Sequence, residues 1–280
     1  MIKLFAFDLD GTILDNNSEV QESSIEALKK LEGAGIKVVL ASGRVFPSVK
    51  YNQNLLGIKG PIVATNGSLI SLDGKEVYKS YAIDEEHLKS LYDFCIKHKL
   101  YFHIYDDENY YTNRVELEKI KHLKIENDYG MNYQVDIIIK NNPLKYIMEN
   151  GRKAVKFQIS GIDENELSRN EIVDLLDKQF GKELYITSSG FSQLEISNKN
   201  ATKWSSIEEI CRILGIYTSE VATIGDSFND IPMVEGAGLG FAMGNAKDDL
   251  KKVADVVVAD NESEGVLEAV NYVLEANKSV

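Results

Sequence analysis

Short apolar runs, each stopping at a polar or acidic turn and separated by stretches of helical length, constrain this chain most. Residues 2–7 (IKLFAF), 36–40 (IKVVL) and 61–64 (PIVA) read as buried strands. Between the first two, Val20, Ile25, Leu28 and Leu31 recur near helical spacing across 20–34, ending at Gly35, and another helix is expected from about Phe46. Alternation of this kind predicts an α/β fold, a Rossmann-like parallel sheet with helices on both faces. Such sheets place ligands beyond the C-terminal ends of their strands, where Asp8 and Ser42 both fall. After the third strand, SLIS and KEVYKS flank Leu72-Asp73-Gly74, which predicts a hairpin.

The texture changes near residue 82. From Asp84 to about Gly190 the chain is rich in tyrosine and lysine, with strand-like runs at 101–105, 135–139, 155–160 and 184–188 and helix-like runs at 84–98 and 164–180. This predicts an inserted α+β domain with a mainly antiparallel sheet. The alternating pattern resumes after 195: a helix at 203–214, a strand at 221–224 ending at Gly225-Asp226, short strands at 238–241 and 255–258, and a last helix from about Glu264. The expected division is therefore a core of 1–82 and 191–280 around an insert of 83–190.

Composition narrows the function. The 31 Lys+Arg against 44 Asp+Glu leave a formal charge of −13, which repels nucleic acid and anionic membranes at long range. It also repels phosphorylated metabolites, so a phosphate site here needs local positive charge, and a bound cation is one source. Cys95 and Cys211 stand far apart without a CxxC pattern, as expected of reduced cytosolic thiols. The N-terminal apolar run is broken by Asp8, so no signal peptide is expected, and no window approaches the roughly 20 apolar residues of a membrane span. A cytoplasmic enzyme, monomeric by default, fits these features.

Chemistry concentrates at two strand ends. Asp8-Leu9-Asp10-Gly11-Thr12 puts two carboxylates one residue apart after a buried strand, and their repulsion calls for a cation or a raised pKa. Gly225-Asp226-Ser227-Phe228-Asn229-Asp230 supplies a second acidic cluster after another strand. Alone, either could be a loop with a helix cap. Together they make a hard-cation site, and with oxygen ligands and no His/Cys cluster, magnesium is favoured over zinc. Ser42-Gly43-Arg44 adds a hydroxyl and backbone N–H groups that could hold phosphate at a strand-to-helix turn.

These motifs resemble the haloacid dehalogenase superfamily, in particular its Cof-type sugar-phosphatase branch with a type IIB α/β cap. The family's DxDGT is Asp8 to Thr12, its Ser/Thr-Gly-Arg is Ser42-Gly43-Arg44, and its GDxxND is Gly225 to Asp230. Thr65-Asn66-Gly67, FAMGNA at 241–246 and Glu264-Gly265-Val266 are also family-like. The third motif departs: where a lysine is usually followed by glycine, Lys203 precedes Trp204, and Lys199 is the weaker substitute.

The resemblance implies a nucleophile at Asp8, an acid–base at Asp10, and magnesium held by Asp8, the Asp10 carbonyl and Asp226 with help from Ser227. It implies that Lys203 pairs with Asp8 and the phosphate, that Ser42, Asn229 and the N–H groups of Leu9 and Gly43 donate to phosphoryl oxygens, and that Thr12 and Asp230 support the site. The insert would be a cap that sets specificity, with Tyr105, Tyr110 or Tyr111 stacking on a sugar or base, although ordinary sheet packing explains any one of them. His87, His98, His103 and His122 read as surface or packing residues, Asp15 as a capping residue, and Arg44 equally as a substrate contact or an ion pair. The expected function is a magnesium-dependent phosphatase for a small phosphorylated metabolite, with sugar phosphates as the expected substrates. The alternatives are a phosphomutase of the same fold and a non-catalytic sugar-phosphate-binding regulator, which would be expected to lose Asp8, Asp10 or Asp226.

Overall fold

In chain order the computed structural model runs β1 (Leu4–Phe7), α1 (Glu22–Gly33), β2 (Lys37–Ala41), α2 (Phe46–Leu56), β3 (Ile62–Ala64), β4 (Leu69–Ser71) and β5 (Lys79–Ser80). It continues through α3 (Glu85–Lys97), β6 (Tyr101–Tyr105), β7 (Asn109–Thr112), β8 (Asp136–Ile139), α4 (Pro143–Glu149), β9 (Lys156–Ser160), α5 (Arg169–Phe180), β10 (Leu184–Thr187) and β11 (Gln193–Asn198). It closes with α6 (Lys203–Leu214), β12 (Val221–Gly225), α7 (Ile231–Gly236), β13 (Leu239–Ala242), α8 (Asp248–Val253), β14 (Val256–Val257) and α9 (Gly265–Lys278). The structure describes residues 1–115, 135–162, 165–188 and 192–278; His122 lies outside them. The chain divides into two units, Met1–Arg44 with Val49–Lys79 and Thr202–Val280, and Val45–Ser48 with Ser80–Ala201.

The first unit is built on a sheet of order β14-β13-β12-β1-β2-β3-β4-β5. Every pairing from β14 to β3 is parallel, and β3–β4 is antiparallel. β1 is buried along its whole length, with Phe5 and Phe7 stacked at 4.2 Å, as befits a central strand covered on both faces. From β1 the chain winds outward through β2 and β3 on one side, then returns through β12, β13 and β14 on the other. The order reverses between β1 and β12, and Phe7 lies level with Ile224 there. A parallel sheet opens a crevice at such a reversal. Asn277 ties the end of α9 back to the start of β1, accepting from the Ile2 N–H at 2.7 Å and donating to its carbonyl at 2.8 Å.

The predicted hairpin closes less tightly than its sequence suggests. Asp73 Oδ1 accepts the N–H groups of Lys75 at 2.9 Å and Glu76 at 3.4 Å, which takes them out of any ladder. Only Lys79–Ser80 of the second run is a strand.

The second unit has a six-stranded sheet, β10-β11-β9-β6-β7-β8, antiparallel except for β7–β8. One face is apolar: Phe102, Ile104, Phe157, Ile159, Leu194 and Ile196 pack with Leu88, Leu91 and Phe94 of α3, Leu144 and Ile147 of α4, and Ile172 and Leu176 of α5. The alternate positions are polar and equally buried. His103 lies opposite Gln158, which lies opposite Glu195, and Lys156 pairs with Glu195 at 2.9 Å. Tyr111 belongs to the apolar face and donates to Asp106, while Tyr105 and Tyr110 stack edge-on at 5.1 Å on the other. Strands β7 and β11 have no counterpart in the sequence reading, because Asn109 and Glu195 interrupt their apolar content. Helix α5 begins at Arg169 rather than near 164, since Ser168 and Glu171 form a capping box that starts it there. His87 sits in the first turn of α3 against its cap Asp84, and His98 ends that helix with its ring 4.6 Å from Phe94. Cys95 and Cys211 are both free and buried.

Trp204 fits the fold through a neighbour. It occupies the second position of α6, and a Cβ at Gly236, the last residue of α7, would lie 2.4 Å from its Cε2. Gly236→Ala should therefore overpack this junction and cost about 1–3 kcal/mol. In a Trp204→Ala background the same change should cost nothing further. Paired thermal and denaturant melts of the four proteins check this; equal costs in both backgrounds would refute it.

Candidate active site

Four adjacent parallel strands of the first unit deliver the site. β1 ends into Asp8, β2 into Ser42, β3 into Thr65-Asn66-Gly67, and β12 into Asp226. The Asp8 N–H donates to the Ile224 carbonyl at 3.1 Å, which holds the carboxylate at the reversal point of the sheet. Lys203, the first residue of α6, reaches the same place and is wholly buried. Its Nζ donates to Asp8 Oδ1 and to Asp230 Oδ1, both at 2.6 Å. Asp230 Oδ2 accepts the N–H groups of Asp226 and Ser227, each at 3.0 Å. Both oxygens of Asp230 are thus engaged in holding the lysine and shaping the Asp226 loop. Lys199 is not part of this arrangement; its amine donates to the Lys182 carbonyl in the second unit.

The helix that carries Lys203 starts with a capping box, Thr202 accepting from the Ser205 N–H at 3.0 Å while the Ser205 hydroxyl accepts the Thr202 N–H. An ordinary helical backbone therefore serves at 203–204, and the glycine usual after the lysine in the resembling family is not needed here. Two glycines elsewhere are required by space. A Cβ at Gly11, whose φ is +74°, would stand 2.6 Å from Asp226 Oδ2, and one at Gly225 would stand 2.4 Å from the Asp230 carboxyl carbon. Asn245, in the 241–246 run, donates to the Gly11 carbonyl at 2.8 Å and buttresses the same turn.

Oxygen atoms of Asp8, Asp226 and Asp230 all lie within 4.8 Å of one another. Thr12 Oγ1, Ser227 Oγ and Asn229 Oδ1 are buried nearby in sequence without a hydrogen-bond partner. A donor set of oxygens with three orphaned polar atoms suits a hard divalent cation with its waters, so the residues fit such a group. The charge state agrees. Burial, then Asp230, push the Asp8 carboxyl well above the usual carboxylate range despite Lys203, and burial with Asp230 pushes Asp226 up to about 7. Burial would pull the Lys203 ammonium down, but Asp230 and Asp8 outweigh it and hold the group above its ordinary value.

Of the remaining expected residues, Ser42 places its hydroxyl oxygen 3.1 Å from the Arg44 N–H, which donates to it. The Leu9 N–H has no acceptor among the described residues, and Leu9 itself is buried. Gly43 sits against Asn66: a Cβ there would be 3.0 Å from Asn66 Oδ1. Asn229 donates to that same oxygen at 3.0 Å. Two further residues thus enter the site: one had no role in the sequence reading, and the other stood there equally as a substrate contact or an ion pair. Asn66 is one, held by successive positive φ values at Thr65 (55°) and Asn66 (57°), a conformation such residues adopt only when surroundings enforce it. Its family-like Thr-Asn-Gly context was the available signal. Arg44 is the other: its Nε and Nη2 fork onto Asp10 Oδ2 and Oδ1 at 2.8 and 2.5 Å. Asp15 accepts from the Asn17 and Glu19 N–H groups and is a loop cap.

Paired acids and a buried lysine thus meet at the reversal point of an α/β sheet, a charge-compensated crevice of the kind that binds ligands. The model of the haloacid dehalogenase-like hydrolases (Hydrolase_3) matches residues 5–270, and the chain belongs to this family. It is 28% identical to phosphatase YwpJ of Bacillus subtilis (strain 168), over 98% of this chain and 100% of that protein. It is 30% identical to the 5-amino-6-(5-phospho-D-ribitylamino)uracil phosphatase YwtE of the same organism, over 98% of each. Among solved structures, the HAD subclass IIB sugar phosphatase BT4131 is similar with a TM-score of 0.78 and 25% identity, covering 96% of this chain and 98% of that one. The chain is accordingly a phosphoric monoester hydrolase acting on a small phosphorylated substrate. Among the described residues, no helix is long and apolar enough to cross a membrane.

The acid cluster makes a pH prediction with a definite sign. Asp226 titrates near 3.8 when unfolded and about 7 when folded, so the folded protein binds more protons between these values. Its stabilising contribution is complete below the lower value and is lost as pH rises through the upper one. Metal-free protein should melt at falling temperature from about pH 4 to about pH 7, and Asp226→Asn should flatten that slope. A divalent cation should raise the melting temperature more near pH 8 than near pH 5, since protons compete with it. Melts of both proteins with and without the cation test this; an unchanged slope in Asp226→Asn would refute it.

Proposed function

We propose that the chain is a magnesium-dependent phosphatase that hydrolyses a small phosphorylated metabolite, a sugar phosphate or a related polyol phosphate, through a phospho-aspartyl intermediate on Asp8. The observation that carries this is the buried Asp8–Lys203–Asp230 bridge at the reversal point of the sheet. Lys203 holds one oxygen of Asp8 and leaves the other to attack phosphorus. A carboxylate attacking a phosphate ester meets charge repulsion, and Lys203 offsets part of it at the reacting atoms.

In this reading Asp8, Asp226 and the Asp10 carbonyl hold the magnesium, with Ser227 contributing its unpartnered hydroxyl directly or through water. When bound, the ion supplies charge neutralisation at the phosphoryl oxygens. Asp230 positions Lys203 rather than serving as a ligand, because its oxygens are already engaged. Ser42, the Leu9 and Gly43 N–H groups and the second amide hydrogen of Asn229 donate to phosphoryl oxygens, each such aimed donor contributing roughly 3 kcal/mol in the transition state. Thr12 supports the turn behind Asp8.

The chemistry balances in two displacements. Asp8 forms a bond to phosphorus, the ester oxygen leaves, and Asp10 hands that oxygen a proton. Water then attacks the phosphorus, Asp10 takes its proton, and the bond to Asp8 breaks to release inorganic phosphate. The core comprises the sheet unit, and the inserted unit is proposed as the cap that selects the leaving group. The polyol assignment draws on the sugar phosphatase BT4131 and the 5-amino-6-(5-phospho-D-ribitylamino)uracil phosphatase YwtE among the similar proteins. We assign the reaction to the cytoplasm and to a monomer, with no nucleic-acid or membrane partner.

Release of inorganic phosphate from 4-nitrophenyl phosphate and a panel of sugar and polyol phosphates tests the reading. Wild type should turn over with magnesium and stop on chelation, and Asp8→Asn should lose about 10⁴-fold or more. In mass spectrometry, wild type quenched during turnover should gain one phosphoryl group on the peptide containing Asp8. Substantial turnover by Asp8→Asn free of deamidation would refute the nucleophile, and release unaffected by chelation would refute the metal.

A further inference from the structure

The Asp10 carboxylate is the most exposed of the acids in the site. Its side chain is 53% exposed, and among the described residues only Arg44 hydrogen-bonds to it. A proton donor and acceptor that swings freely is a poor one, since transfer requires the heavy atoms to be held within hydrogen-bond reach of the reacting oxygen.

Arg44 is held where Asp10 is not. Its N–H donates to Ser42 Oγ at 3.1 Å, and its carbonyl accepts the Thr65 N–H at 2.9 Å. Its backbone is thereby tied both to the end of β2 and to the turn that orients Asn66 and Asn229. The side chain is 19% exposed and presents two donors in the planar arrangement that matches a carboxylate. The fork occupies one lone pair on each Asp10 oxygen, and a carboxylate has about four such sites. Each oxygen therefore keeps a second lone pair for an incoming group.

We propose that Arg44 is a positioning residue for the proton-transfer step, fixing the orientation of the Asp10 carboxyl towards the leaving oxygen rather than binding phosphate. This rests on the phosphatase reading given above. It follows that Arg44 matters in proportion to how much help the leaving group needs. A nitrophenolate departs unaided, phenolate needs some protonation, and an alkoxide needs it fully.

The test compares kcat/KM, which reports the first displacement, for 4-nitrophenyl, phenyl and glycerol phosphates. Arg44→Ala should lose about 10²-fold on glycerol phosphate, within the 10²–10⁴-fold range of acid–base help, and less than about 5-fold on 4-nitrophenyl phosphate. Arg44→Gln, shorter and uncharged but still polar, should show the same pattern if the alanine variant folds poorly. Arg44→Lys should recover only part, lacking the fork. Asp10→Asn should show the same steepened dependence on leaving group, and adding Arg44→Ala to it should cost no more than about 3-fold on phenyl phosphate. Equal losses on all three esters, or a full additional loss in the double variant, would overturn the inference and make Arg44 a phosphate ligand or a structural residue. The phosphatase reading fails separately, and takes this inference with it, if wild type hydrolyses none of the esters or if Asp8→Asn hydrolyses them as well as wild type.

Discussion

The buried ammonium of Lys203 organises the catalytic end of the first unit. A lysine at the first position of a helix sits at the positive end of the helix dipole, and burial there removes its hydration as well. Two carboxylates at 2.6 Å make the position tenable, and each is constrained in turn. Asp8 is fixed by a central strand buried on both faces, and Asp230 by accepting two backbone N–H groups of the Asp226 loop. Removing either acid would leave a buried cation half compensated, so the bridge couples the end of β1 to α6 and the loop after β12, Asp8 and Lys203 being 195 residues apart in the chain.

The close packing around that bridge explains several small residues. Gly11 and Gly225 admit the Asp226 and Asp230 carboxylates where a Cβ would exclude them. Gly67, with φ of +99°, lets its turn approach the Thr202 carbonyl at the start of α6, and Ser206 donates to the Gly67 carbonyl at 2.7 Å. The left-handed residues Thr65 and Asn66 are thereby pinned from α6 on one side and from Ser42 and Arg44 on the other. Backbone strain persists where surroundings overdetermine it, and here it aims one amide oxygen at Asn229.

Legibility followed the same physics. The parallel sheet was readable because strands buried on both faces are continuous apolar runs, and the acids at their ends stood out against them. Asp8, Asp226, Asp230 and Lys203 were legible as chemistry and do converge. The role of Asn66 was not, because it depends on a partner that sequence separates, Asn229, and an asparagine in a turn has many ordinary uses; Arg44 was legible as a substrate contact or an ion pair, but its partner Asp10 was not. Strand β11 was hidden by Glu195, whose burial makes sense only beside Lys156 on β9. Trp204 looked like a break in a motif because the compensating glycine, Gly236, lies on α7 and carries no signal by itself.

Charge balance gives the site its remaining requirement. Asp8, Asp10, Asp226 and Asp230 face two close cations, Lys203 and Arg44, so four negative groups meet two positive ones and an excess of two remains. Arg44 is committed to Asp10 and Lys203 to Asp8 and Asp230, which leaves Asp226 to bear the excess, with Lys247 easing it. Its carboxyl answers by holding its proton to about pH 7, and Asp8 answers in the same direction. Protons are one way to settle such an excess; a divalent cation on the same oxygens is another, and it matches the deficit in charge as well as in ligand type. A phosphate ester brings further negative charge to this end of the sheet, at a protein whose net charge is −13. A cation on these oxygens would offset both that repulsion and the surplus of acid, as the proposed reaction requires.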